Sequence, residues 1–124
     1  MRELALIAAG IVGAVTAVIH GFLMQKLMIA PIMGAVSEGK LLPRPTRRLI
    51  PILMHFSTFC WFAAGLALIA AALWLDPATR LPVILCAAAL YAYGMIGNCW
   101  ATRGRHPGWV LLAIALALIG VAIL

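Results

Sequence analysis

Acidic residues are the scarcest feature of this sequence: Glu3, Glu38 and Asp76 are the only ones among 124 residues. Charged residues of both signs make up 10% of the chain and hydrophobic residues 66%, whereas a soluble domain averages about 25% charged and about 45–50% apolar residues. This composition argues against a soluble domain and indicates an integral membrane protein. The length accommodates a single domain over residues 1–124.

The sequence also lacks the catalytic motifs of the common enzyme classes. The sequence has no Gly-rich phosphate-binding motif, no carboxylate pair and no Ser–His–Asp set, so we name no catalytic residue and do not expect an enzyme. No C-x-x-C spacing links Cys60, Cys86 and Cys99. They lie in apolar runs and are expected to behave as small hydrophobic side chains.

Four apolar runs have the length of membrane-spanning helices, and they cover approximately residues 4–24, 49–75, 81–102 and 108–124. A hydrocarbon layer of about 30 Å requires roughly 20 helical residues, and the short last run fits with slight thinning of the bilayer. Asp76 and Pro77 form a helix-start signal in a tight turn, so the spans on either side are expected to be antiparallel. We predict an all-α membrane protein, a four-helix transmembrane bundle with up-down topology.

The first run contains Val15-Thr16-Ala17, a tripeptide similar to a signal-peptidase site. The apolar run continues past this tripeptide to Met24, however, so we expect a retained helix. Gly13, Ala17 and Gly21 recur every four residues along it. Such a small-residue stripe lets another helix approach closely, and it could also join two copies of the chain or a larger membrane complex.

The basic residues predict the orientation in the membrane. Seven of the nine Lys and Arg residues lie in two connections, Lys26–Arg48 and Arg103–Pro107, and the other two are Arg2 and Arg80. Because cytoplasmic loops carry the positive excess, both termini are expected on the non-cytoplasmic side of a bacterial inner membrane. The connection Lys26–Arg48 is rich in Pro and Gly, so we expect a solvated loop there. Its charges suit anionic lipid headgroups, and we expect no nucleic-acid partner.

Three of the predicted spans place polar side chains at one depth near the basic end. His20, His55 and Asn98 each lie five to seven residues from the nearest basic residue of the adjoining connection, which is roughly 7–11 Å along a helix. Because polar groups in hydrocarbon tend to face the bundle interior, we predict one buried cluster. Its members are Thr16, His20, His55, Thr58, Tyr91 and Asn98. The favoured function is structural, with hydrogen bonds that set helix register in a small accessory or packing protein.

Three alternatives remain open at this point. His20 and His55, on antiparallel helices at one depth, could be axial ligands of haem b or hold another cofactor. His20 with Met24 and Met28, spaced every four residues, would suit Cu(I), although Met is also a common apolar filler and we predict no metal site. A small-solute transporter would have to couple protons through histidine, because no Asp or Glu lies within a span.

Two stretches resemble a group of small bacterial four-span membrane proteins with no characterised activity. The first stretch is Ile19–Lys26 followed by Ala30-Pro31, and the second comprises Arg47-Arg48, Met54–Thr58 and Trp61. The resemblance covers about half of the chain and implies four spans with a histidine in each of the first two. The chain departs from the group at Met54, where an aromatic residue usually precedes the histidine, and at Met24-Gln25, where Gly-Glu is typical.

Overall fold

The computed structural model of the chain describes residues 1–39 and 42–124, and in these ranges it contains helices and no strand. The four helices are α1 Arg2–Gly39, α2 Arg44–Trp74, α3 Pro77–Ala101 and α4 Gly108–Ile123. The prediction of an all-α fold is therefore confirmed. Helices α1, α2 and α3 are long and apolar enough to cross a membrane, whereas α4 is a shorter apolar helix of 16 residues.

Helix α1 continues without a break through a region for which the sequence predicts a loop. It is α-helical over Arg2–Met24, π-helical over Gln25–Ile29 and α-helical again over Ala30–Gly39. In a regular α-helix the ring of Pro31 would clash with the carbonyl four residues earlier. The wider π-helical turn directly before Pro31 provides room for this ring, so the proline changes the helix without ending it.

The prediction of a solvated loop over Lys26–Arg48 is wrong for 26–39 and 44–48, which are helical. Lys40, which belongs to that predicted loop, lies outside the described residues. Helix α2 begins at Arg44 with a proline in its first turn, where no backbone N–H is required, and it continues through Pro51. Helix α2 therefore begins five residues before the predicted span.

The start of α3 agrees with its sequence signal. The Asp76 carboxylate accepts hydrogen bonds from the backbone N–H groups of Ala78 and Thr79, at 3.0 and 3.2 Å, and caps the helix. The Thr79 hydroxyl donates to the same carboxylate at 2.5 Å, and this bond is the largest cause that lowers the pKa of Asp76. The cap therefore remains ionised, and able to accept these bonds, into mildly acidic solution.

The four helices form a closed ring in which each helix packs against two others. Helix α1 packs against α2 and α4, and α3 packs against the same two helices. The largest fully buried side chains, which fill the centre, are Leu6, Leu68, Tyr91 and Leu112. Large apolar side chains also cover the outer faces of the helices, among them Val18, Phe59, Ile96 and Val121.

Helices α1 and α2 make backbone contact at two glycines. A Cβ atom added to Gly10 would lie 2.5 Å from the carbonyl oxygen of Gly65, and one added to Gly65 would lie 2.6 Å from that of Gly10. Farther along the same pair of helices, a Cβ atom at Gly21 would lie 2.8 Å from the methyl carbon of Thr58. The stripe of small residues predicted on α1 thus faces neighbours within the same chain.

Polar contacts join the start of α1 to the start of α3 and to the end of α4. Arg80, in the first turn of α3, forms a salt bridge of 3.4 Å with Glu3 in the first turn of α1. Arg2 donates a hydrogen bond of 2.6 Å to the backbone oxygen of Leu124, next to the end of α4. The starts of α1 and α3 and the end of α4 therefore lie at one level, which provides a reference for comparing helix lengths.

The close approach of α1 and α2 predicts that Gly65→Val lowers the free energy of unfolding by about 1–3 kcal/mol, because the branched side chain would push the two backbones apart. Gly97→Ala is the matched control, since an added Cβ there meets no atom within 4 Å. The control should be neutral or stabilising by up to about 1 kcal/mol. Thermal unfolding in detergent, followed by circular dichroism, measures both, and an unchanged Tm for Gly65→Val would contradict the contact.

Candidate functional site

A small, partly open cavity of about 70 Å³ lies beneath the turn that joins α3 to α4. Side chains from all four helices and from the turn line it: Thr16, Ile19, His20, Leu23, Trp61, Asn98, His106, Pro107, Gly108 and Leu111. A space of this size accommodates a few water molecules, which need polar partners to be held there. Two imidazoles, one amide and one hydroxyl group on its walls make it the candidate site.

His20 projects from α1 and contacts α2 through two side chains. Its Nε2 lies 3.4 Å from the Ser57 hydroxyl, and its ring centroid lies 4.5 Å from that of Trp61 at an interplanar angle of 51°. The Ser57 hydroxyl also lies 3.4 Å from the carbonyl oxygen of Met54. Because this hydroxyl has one proton, it donates a hydrogen bond either to Met54 or to His20, and in the first case it accepts a hydrogen bond from the Nε2–H group of His20.

His106 reaches the cavity because the chain reverses just before it. Arg103 and Gly104 have φ values of 51° and 73°, a left-handed conformation that turns the backbone sharply. Nδ1 of His106 accepts a hydrogen bond of 3.0 Å from the backbone N–H of Gly108. In the neutral ring the proton therefore resides on Nε2, so that this nitrogen is a donor.

Trp61 is the residue that connects His20 to the centre of the bundle. On one side its ring packs at a tilt against the ring of His20, and it also contacts Gly94, whose missing side chain leaves the space. Its carbonyl oxygen accepts a hydrogen bond of 3.4 Å from the hydroxyl of Tyr91, which is completely buried against Gly13. Tyr91 therefore supports Trp61 from the bundle interior and does not itself line the cavity.

Thr16 and Asn98 line the cavity but bond to their own helices. The Thr16 hydroxyl donates to the carbonyl oxygen of Val12 at 2.7 Å, and the Asn98 amide donates to that of Gly94 at 2.9 Å. Such bonds between a side chain and the preceding turn satisfy a polar group in an apolar environment without joining two helices. These two predicted members of the cluster do not, through these bonds, set helix register.

His55 and Thr58 lie outside the cavity. Nε2 of His55 lies 3.1 Å from the amide oxygen of Gln25, within the π-helical turn of α1, and the ring is partly exposed. The Thr58 hydroxyl is buried and has no hydrogen-bond partner, while its methyl group contacts Gly21. The six residues predicted as one cluster thus divide into a group around the cavity and Trp61, and a pair on the α1–α2 contact.

Sequence reasoning missed His106, Trp61 and Gln25 as site residues. A signal for Trp61 was present, because it follows Ser57 by four residues and therefore shares the inner face of α2. No comparable signal exists for His106, which lies in the connection Arg103–Pro107 outside the predicted spans. Its position depends on the backbone conformation of the turn, which residue spacing does not specify.

The site provides little space for a cofactor. The cavity of about 70 Å³ is well below the roughly 300–1,000 Å³ of typical ligand pockets, and it does not admit a porphyrin. His20 and His55 have different hydrogen-bond partners, and only His20 lines the cavity. Across residues 1–39 and 42–124, no group of three or more His, Cys, Asp or Glu side chains could hold a metal ion.

Comparison of the chain with protein-family models, with curated protein sequences and with solved structures finds no match.

The unpaired hydroxyl predicts that Thr58→Val is neutral or stabilises the fold by about 1 kcal/mol, since it removes a buried polar group without a partner at nearly constant volume. Thr16→Val is the matched control, because its hydroxyl donates at 2.7 Å and its removal leaves the carbonyl of Val12 with one bond fewer. The control should be neutral or destabilising by up to about 1 kcal/mol. Unfolding in detergent ranks the variants, and a larger loss at Thr58 would show that this hydroxyl has a partner.

Proposed function

We propose that this chain is a four-span protein of a bacterial inner membrane that serves as a structural accessory or packing protein, with a polar cluster that holds its helices together. The observation that carries the proposal is the small size of the cavity, about 70 Å³, around which the polar side chains already have partners in the chain. Those side chains are Thr16, His20, Asn98 and His106. A site for a substrate or haem would need more space and unpaired polar groups.

The exposed apolar side chains support the membrane location. Val18, Phe59, Ile96 and Val121 are each exposed by more than 60% and lie on four different helices. A soluble protein rarely exposes contiguous apolar patches larger than a few hundred Å², whereas lipid tails contact such side chains without penalty. Helix α4 has no charged residue, which supports its inclusion as a fourth span despite its length.

The distribution of basic residues supports an orientation with both termini on the non-cytoplasmic side. Arg103 and Arg105 lie in the turn above the cavity, and Lys26, Arg44 and Arg48 lie at the same end of the bundle. The opposite end has Arg2 and Arg80, and Glu3 partly offsets this charge through its salt bridge. Positively charged segments remain in the cytoplasm during insertion, so the cavity faces the cytoplasmic half of the membrane.

Reporter fusions test the orientation. Alkaline phosphatase, which is active only outside the cytoplasm, should be active when fused after Leu124, and green fluorescent protein at the same position should be dark. The matched control places the same reporters after Gly104, in the α3–α4 turn, where the pattern should reverse because the basic turn is retained in the cytoplasm. Fluorescence at Leu124 combined with phosphatase activity at Gly104 would contradict the proposed orientation.

Substitution of His20 separates a structural function from haem binding. His20→Leu removes the contact with Ser57 and should lower the free energy of unfolding by about 1 kcal/mol, the scale of polar contacts between membrane helices. His55→Leu should have a smaller effect, because its bond to Gln25 is at a partly exposed site. The protein purified from haem-producing cells should show no Soret band. A Soret band that disappears in His20→Leu, with helical content unchanged, would overturn the structural proposal.

A further inference from the structure

Helix α1 extends well beyond the other end of the bundle. The Glu3–Arg80 salt bridge places the starts of α1 and α3 at one level, and from there α1 has 38 residues and α3 has 25. At 1.5 Å per residue, α1 therefore extends roughly 20 Å farther than α3. Helix α2, with 31 residues, accompanies it for part of this distance. We call residues 25–39 and 44–53 the arm.

The arm begins where the spans end in the proposed membrane arrangement. A hydrocarbon layer of about 30 Å corresponds to roughly 20 residues, which from the first turn of α1 ends near residue 24. Lys26 follows directly, and its ammonium group lies 4.6 Å from the ring centroid of Phe22, as expected of a basic side chain at a lipid boundary. The arm thus lies on the side that carries the basic residues.

The surface of the arm is apolar, although residues 25–39 and 44–48 lie beyond the predicted spans and only 49–53 overlap the start of the second one. Its exposed apolar side chains are Leu27, Met28, Ile32, Leu49, Ile52 and Leu53, whereas Ile29 is the only buried residue of Gln25–Gly39. Water would contact this surface if the arm stood free in the cytoplasm. An exposed apolar surface of this kind indicates that something covers it.

The charge of the arm indicates what covers it. The arm contains four basic residues, Lys26, Arg44, Arg47 and Arg48, and one acidic residue, Glu38. Within the described residues the one salt bridge lies at the opposite end of the bundle, so it does not neutralise these charges. Two arms from two copies would repel each other. An anionic phospholipid surface, by contrast, provides both the negative charge and an apolar layer directly below it.

Both helices of the arm have an irregularity where the arm joins the bundle. A bend at this level would be needed for the arm to lie along a membrane surface. Helix α1 has its π-helical turn over Gln25–Ile29 and then Pro31, and α2 has Pro51. The hydrogen bond between Gln25 and His55, one turn beyond Pro51, shows that these features lie at nearly the same height. Prolines and π-helical turns are the usual positions of helix kinks.

We propose that the arm docks on the cytoplasmic surface of an anionic phospholipid bilayer, with its apolar side chains at the acyl boundary and its arginines on the headgroup phosphates. This inference rests on the membrane orientation proposed above. Each arginine near an anionic surface strengthens docking about fivefold, so removing two of them should weaken it roughly 30-fold.

Spin labelling of the whole protein in nanodiscs tests the docking. A nitroxide is attached to M28C in a background of C60A, C86A and C99A that retains the helical content and monodispersity of the parent. In phosphatidylcholine with phosphatidylglycerol, the label should collide with oxygen, which partitions into lipid, and be shielded from a water-soluble nickel chelate. Phosphatidylcholine alone, or R44Q with R48Q, should expose it to the chelate. R103Q with R105Q, which removes two arginines outside the arm, is the matched control and should leave the label in lipid.

Labels at two further sites make the outcomes distinct. V18C, exposed on α1 within the span, should contact lipid in every nanodisc, and if it contacts water the membrane proposal itself fails. I32C, an exposed position outside the predicted spans, provides a second site on the arm should M28C fail to fold. With V18C in lipid, three results for the arm label would overturn the docking proposal. The label could contact water in both lipid mixtures, or it could contact lipid equally well without phosphatidylglycerol. It could also be shielded from both reagents, which would mean that protein covers it.

Discussion

The backbone contact between α1 and α2 at Gly10 and Gly65 is the constraint on which the rest of the structure depends. Association of helices in a lipid environment gains little from the hydrophobic effect and relies on close packing. With the two backbones in contact, side chains farther along the pair meet at a set distance. The methyl group of Thr58 then reaches Gly21, and His55 reaches Gln25 at 3.1 Å.

Trp61 extends this constraint to the other two helices. It is buried between His20 of α1 and Gly94 of α3, and the hydroxyl of Tyr91 donates to its carbonyl oxygen. The result is a packed centre with a small cavity on its basic side. Polar groups there bond mostly to nearby backbone or to one neighbouring side chain, so their hydrogen bonds are satisfied within the chain, as the proposed structural function requires.

Much of the helical architecture could be predicted because its causes are local. Long apolar runs identify the helices, three of which are long and apolar enough to cross a membrane, and the Asp76 carboxylate caps α3 as its position before Pro77 indicates. The prediction of a loop after Lys26 is wrong because the prolines of this region do not end the helices. A proline in a first turn loses no hydrogen bond, and one behind a π-helical turn has room for its ring, so α1 and α2 both continue as an arm.

The sequence by itself determined the helical class, the long apolar runs and the candidate polar residues, because hydrophobicity and capping act within a few residues of the chain. Only the tertiary structure decided which of these residues meet. His55 faces Gln25 and not His20, since small residues set the rotation of α2 against α1. His106 reaches the cavity because Arg103 and Gly104 adopt left-handed conformations. Contacts between helices depend on rotation and turn geometry, which neither composition nor spacing specifies.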